Sequence, residues 1–189
     1  MKLCLIFWII FVSLFFPSLS RADSPSIQNI RISNSPDHLN LRFYVANSFT
    51  PKIEEAISNG IPTTFTYSVN LYQNRSLWTD KLLMSNTLVK TIKFDNLKNE
   101  YTIVTAQKNN GNNTSSLVVP TLEEAKKNMS QIEILSIYPI WKLERNSTYY
   151  FEIKAAAEGV KPPAYIHYFL FFLDWNYFET DWAIENFNY

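Results

Sequence analysis

Near the C-terminal end, four acidic residues stand among large aromatics: Asp174, Glu179, Asp181 and Glu185 interleave with Trp175, Tyr177, Phe178 and Trp182. Two carboxyl groups beside aromatic platforms are the equipment with which sugar-cleaving enzymes protonate and attack a glycosidic bond. The same acids also suit a plainer role, as charged positions that keep an edge strand or tail soluble. A second group lies mid-chain, where Arg75, Trp78 and Asp80 are spaced so that Arg75 and Asp80 pair across Trp78. That group is either a recognition site in a connection, where functional residues concentrate, or a tryptophan plugging the end of the fold. Other chemistries lack their parts. The chain has two histidines, His38 and His167, on different predicted strands, and one cysteine, Cys4. A Ser-His-Asp or Cys-His nucleophile needs its base, and a zinc site needs several nitrogen or sulfur ligands. His38 follows a Pro-Asp turn and is expected at the solvent; His167, in an aromatic strand, is expected to pack. The three glycines Gly60, Gly111 and Gly159 make no phosphate-cradling loop. No metal and no cofactor is expected, and a non-enzymatic binding module is the favoured class. A hydrolase working through the paired carboxylates is the alternative, as is a carrier whose aromatics line an apolar cavity.

The elements that must position these residues are mostly strands. Leu39, Leu41, Phe43 and Val45 alternate with Asn40, Arg42 and Tyr44, the period of a half-buried strand. A first strand around Ile30 and Ile32 precedes it, across a turn at Ser35, Pro36 and Asp37. Thr50 as cap, Pro51 at the first helical position and Glu54 and Glu55 in the first turn predict a helix over 51–59, stopped by Gly60. Phe65, Tyr67, Val69 and Leu71 then alternate with threonine, serine and asparagine in the clearest strand of the chain. Residues 74–85 form the predicted connection, a short helix or an irregular corner. Leu88, Lys90, Ile92 and Phe94 share one face of the next strand, which returns over 101–107 as a hairpin. A short strand follows over 116–119. Thr121 and Glu124 make a capping box for a second helix. Further strands run over 132–138 and from Tyr149, and residues 165–175 are apolar on both faces, apart from His167 and Asp174. A strand buried on both sides has that pattern, as does one whose outer face meets a partner. Tyr168, Trp175 and Trp182 are the aromatics such a partner or ligand would touch. Eight or nine strands in consecutive runs, with two short helices, predict an antiparallel β-sandwich or partly open barrel.

The start of the chain is a different object. Lys2 precedes an apolar run over 3–16 broken only by Ser13, then come Pro17 and the small residues Ser20 and Ala22. This is the layout of a secretory signal peptide cleaved after Ala22, leaving 23–189 as a single exported β-rich domain. An uncleaved membrane anchor is the rival, but the run is short of the ~20 residues a spanning helix needs. Removing 1–22 takes away Lys2, Arg21 and Cys4 but no acid, so the formal net charge moves from zero to −2 and no disulfide is left to form. A weakly acidic chain has no basic stripe for nucleic acid. With 47% hydrophobic and 16% aromatic residues among 189, it has enough for a core of its own.

In order, these motifs resemble a family of exported proteobacterial proteins, the domain of unknown function 4390 family. The residues concerned are Ala56, the run Gly60, Ile61, Pro62, Thr63, Thr64 and Phe65, then Tyr67, Arg75, Trp78 and Asp80. The Tyr101 hairpin, the helix start at Leu122, the strand from Tyr149 and the spacing of Trp175 and Trp182 agree in kind, so the resemblance covers nearly all of 23–189. One departure is at Lys161-Pro162-Pro163, where the family has a leucine- and proline-rich segment. The resemblance implies the periplasm of a Gram-negative bacterium and an envelope protein as partner, a sensor-kinase ectodomain among the candidates. It implies no chemistry.

Overall fold

The computed structural model describes residues 24–107, 113–159 and 176–189. Ten strands and two helices follow in the order β1 (Ser26–Asn34), β2 (His38–Ala46), α1 (Pro51–Ser58), β3 (Thr63–Gln73), β4 (Lys81–Asp95), β5 (Glu100–Gln107), β6 (Asn113–Val119), α2 (Leu122–Ser130), β7 (Gln131–Pro139), β8 (Thr148–Gly159), β9 (Asn176–Glu179) and β10 (Ala183–Asn188). They make two antiparallel sheets. One has three strands in the order β1-β2-β7, and the other has seven in the order β10-β8-β3-β4-β5-β6, with β9 also on β8. The sheets face each other as a sandwich and do not close into a barrel. The expectation of a mostly-β antiparallel fold with two short helices holds. No helix among the described residues is long and apolar enough to cross a membrane.

The alternation in β2 and β3 explains the packing. Leu39, Leu41, Phe43 and Val45 of the small sheet, and Phe65, Tyr67, Val69 and Leu71 of the large one, belong to one buried cluster. Ile132 and Ile134 of β7 and Phe151, Ile153, Ala155 and Ala157 of β8 join it. β3 and β8 pair without a break from Thr63↔Gly159 to Gln73↔Tyr149, which makes them the spine of the large sheet. α1 starts as its sequence demands. The Thr50 hydroxyl accepts from the Ile53 amide at 3.4 Å, and Ile53, Ala56 and Ile57 are buried. Its end is a Schellman motif: Ile61 N–H donates to the Ala56 carbonyl at 3.0 Å, Gly60 N–H to that of Ile57 at 2.8 Å, with Gly60 at φ 75°. α2 is capped by Thr121, whose hydroxyl accepts from the Glu124 amide at 3.2 Å. It buries Ala125 and Met129 and packs against strands of both sheets.

Two expectations change. Residues 81–85, assigned to a connection, are the start of β4. Leu71 pairs with Met84 and Tyr72 with Leu82, so Leu83 is an extra residue. That bulge puts three apolar residues in a row and hides the period of two. The acidic and aromatic tail is β9 and β10, which share the edge of β8. Thr180 links them, its amide donating to the Ala155 carbonyl at 2.8 Å and its hydroxyl accepting from the Ala155 amide at 3.0 Å. The strand expected over 165–175 lies outside the described residues, with His167, Tyr168, Asp174 and Trp175.

Candidate functional site

The connection between β3 and β4 is residues 74–80, at one end of the sandwich. Asn74 N–H donates to the Thr148 carbonyl at 2.9 Å, and the Gln73 amide nitrogen donates to Glu144 Oε2 at 2.8 Å, which ties the corner to the segment that leads into β8. The C-terminal residue is fixed beside it: Tyr189 N–H donates to the Ser147 carbonyl at 3.2 Å.

Within the corner, Arg75 is the clamp. Its backbone N–H donates to Asp80 Oδ1 at 3.0 Å, while its guanidinium donates through Nε and Nη2 to the Thr79 carbonyl at 3.0 and 2.6 Å. Trp78 N–H closes the turn onto the Arg75 carbonyl at 3.3 Å. The other Asp80 oxygen accepts from the Tyr150 hydroxyl at 2.9 Å. Tyr150 stacks on Tyr72, with centroids 5.2 Å apart and planes 14° off parallel. The loop is thus anchored to β8 through Tyr150, which stacks on Tyr72 of the adjacent β3. The Arg75 N–H, and then the Tyr150 hydroxyl, hold the Asp80 carboxyl below its usual range. Burial, and then the bond to Asp80, push Tyr150 up to about 12. An ionised carboxylate with both oxygens engaged and a phenol held protonated form a lock at neutral pH.

The expected Arg75–Asp80 pairing therefore exists through the Arg75 backbone, and the guanidinium is spent on a carbonyl. Trp78 does not plug the sandwich: it is 78% exposed, and Leu77 beside it is 89% exposed. Both line an open groove of about 410 Å³ with Gln73, Arg75, Lys81 and Glu144. A larger groove of about 1030 Å³ lies elsewhere, beside α2. It is crossed by the ion pair of Arg42 with Glu133. Lys90 also lines it, donating to the carbonyls of Asn128 at 2.5 Å and Gln131 at 3.4 Å. Arg42, Glu133, Lys90 and Asn128 are engaged with one another or with backbone there, whereas the corner presents the apolar side chains of Leu77 and Trp78 to solvent.

Among the described residues, the C-terminal acids Glu179 and Glu185 do not share a face, and Asp174 lies outside those residues. Glu179 is opposite Ala156, on the outer face of the large sheet, and pairs with Lys154 at 2.5 Å; the same ammonium lies 5.4 Å from the Trp182 ring centroid. Glu185 is opposite Phe151, whose side chain points to the core, so it belongs to the other face. Asp181 is exposed between β9 and β10. His38 is half-buried at the start of β2, its carbonyl bound by the Ser35 amide and hydroxyl, both at 2.8 Å. No group of three or more potential metal ligands occurs among the described residues.

Sequence reasoning missed Tyr150, Tyr72 and Thr79. The signal for the tyrosines was present, since both are large aromatics at outward positions of otherwise polar strand faces. Thr79 contributes only its carbonyl, which no side-chain pattern reveals.

A two-sheet antiparallel sandwich with a locked, aromatic-tipped corner defines a β-sandwich domain. More specifically, the family model described as a domain of unknown function, DUF4390, matches residues 22–186, so the chain belongs to that family. No curated protein matches it.

Proposed function

We propose that this chain is a non-enzymatic binding module of the bacterial cell envelope. Its first 22 residues direct its export to the periplasm, and the corner at residues 74–80 engages a protein partner there. The location rests on the charged start and short apolar run that precede Ala22. The observation that carries the binding role is the combination of rigidity and exposure. Leu77 and Trp78 stand in solvent on a loop fixed by Arg75, Asp80 and Tyr150. Leaving such side chains in water is unfavourable, and fixing them beforehand removes part of the ordering cost of association. Tryptophan, tyrosine and arginine are also the residues that dominate interface energies. A membrane-bound signalling protein with a periplasmic domain, such as a sensor kinase, is the partner class this reading favours.

The test is photo-crosslinking in cells, with a photoreactive residue in place of Leu77 or Trp78 and, as control, in place of Leu97. Leu97 is 98% exposed in the β4–β5 turn at the opposite end of the sandwich. A discrete adduct with one envelope protein from positions 77 and 78, absent from 97, is expected. Equal labelling from all three positions, or none from 77 and 78, would remove the reading.

A further inference from the structure

The described sheets end in four edges, and three are blunted. β1 breaks its register between Gln28 and Arg31, where Asn29 takes φ 53°. β7 pairs irregularly with β2, has Ser136 at φ 52° and carries Glu133 and Pro139. β9 and β10 divide one edge of β8, with Glu179 and Glu185 along it and Asp181 and Trp182 set out of register between them. Bulges, charges and prolines of this kind prevent an edge from accepting another strand. β6 has none of them. Its register on β5 is unbroken from Tyr101↔Val119 to Gln107↔Asn113, and its sequence, NTSSLVV, lacks charge, glycine and proline. Residues 114–118 are exposed, Leu117 at 45% and Val118 at 51%.

We infer that β6 pairs antiparallel with β6 of a second copy, giving a two-fold dimer in which the large sheets run on as one. The strand matches itself. Residues directly opposite in an antiparallel pair point to the same face. Maximal overlap centres the axis on Ser116, with Ser115 against Leu117 and Thr114 against Val118, each twice. Ser116 meets its own copy, hydroxyl and aliphatic side chains meet on either side of it, and no like charges are opposed. A formal net charge of zero, or −2 without residues 1–22, adds little long-range repulsion between copies. β6 presents no charged side chain with which to select a foreign strand, whereas its own copy arrives in matching register. One seven-residue strand is a small interface beside those of stable complexes, so the dimer is weak and concentration-dependent. This surface is separate from the corner, and the two readings fail independently.

Register tests the inference. In a Cys4→Ser background, on the chain as recovered from cells, Ser116→Cys puts its Cα about 4.5–5.5 Å from its own copy, within reach of a disulfide. Thr114→Cys and Val118→Cys are each roughly 14 Å from their own copies but opposite one another. We expect mild oxidation to cross-link Ser116→Cys alone, and the mixture of the other two but neither by itself. In sedimentation velocity, wild-type protein shifts to dimer as concentration rises. Ser116→Lys and Ser116→Glu, which point outward on a folded strand verified by circular dichroism, abolish the shift singly and restore it when mixed. The inference is overturned if the wild type stays monomeric at about 1 mM, if Thr114→Cys cross-links alone as well as Ser116→Cys does, or if Ser116→Cys joins a different protein instead.

Discussion

Lys90→Met takes a charged side chain off the apolar face of β4, where Leu88 and Ile92 are its buried neighbours. Lys90 reaches the C-terminal end of α2, and burial pushes its ammonium from 10.5 down to about 8. The unfolded chain keeps this lysine protonated up to about pH 10.5, while the folded chain releases the proton near pH 8. Between those values the unfolded state binds more protons, so native stability rises with pH across that window. Below pH 8 the cost of burying the charge is fully present. At 1.36 kcal/mol per pK unit, the shift corresponds to at most about 3 kcal/mol. Urea denaturation at pH 7, 8, 9 and 10, followed by tryptophan fluorescence, measures it. The wild type should gain on the order of 2 kcal/mol over the variant between pH 7 and 10. Loss of the donor to the Asn128 carbonyl offsets the variant's stability at pH 7 and leaves the difference in slope. Parallel pH profiles for the two proteins would refute the account of Lys90.

Three further perturbations probe the fold and the corner. Gly60→Ala should destabilise by about 1–2 kcal/mol in urea, because φ 75° penalises a side chain and the added Cβ meets Asn96 Nδ2 at 3.4 Å; an unchanged midpoint would contradict the helix-stop assignment. Tyr67→Phe removes a buried hydroxyl that donates to the Met129 carbonyl at 2.5 Å, and should cost about 1–3 kcal/mol by the same assay. Asp80→Ala unlocks the corner without touching the core, so hydrogen exchange of the Arg75 amide should accelerate while global stability holds; retained protection at Arg75 would mean that the clamp resides elsewhere.

The sequence made some parts legible and hid others for physical reasons. The strands β2 and β3 were plain because one face is apolar and the other polar, and α1 because Thr50, Pro51 and Gly60 act locally on their own backbone. β4 was read only from Leu88 onward, since the bulge at Leu83 spoils alternation before it. Sheet order was not accessible. Leu41 pairs with Ile134, and Tyr72 with Tyr150, far apart in sequence, and periodicity says which face is buried but not which strand lies alongside. The corner was half legible. Arg75, Trp78 and Asp80 stood out by type, but one of the two bonds that fix Asp80 comes from Tyr150, seventy positions later in sequence. The direction of Trp78 was open as well, because an isolated tryptophan in a connection is equally at home inside or outside.

The central claim is that Trp78 is a binding anchor. The direct measurement is the affinity of the cross-linked envelope partner for purified wild-type protein, Trp78→Ala and the control Leu97→Ala, by isothermal titration calorimetry. An anchor worth about 2 kcal/mol predicts that Trp78→Ala binds roughly 30-fold more weakly, while Leu97→Ala binds as the wild type does. Equal affinity for all three proteins would contradict the claim.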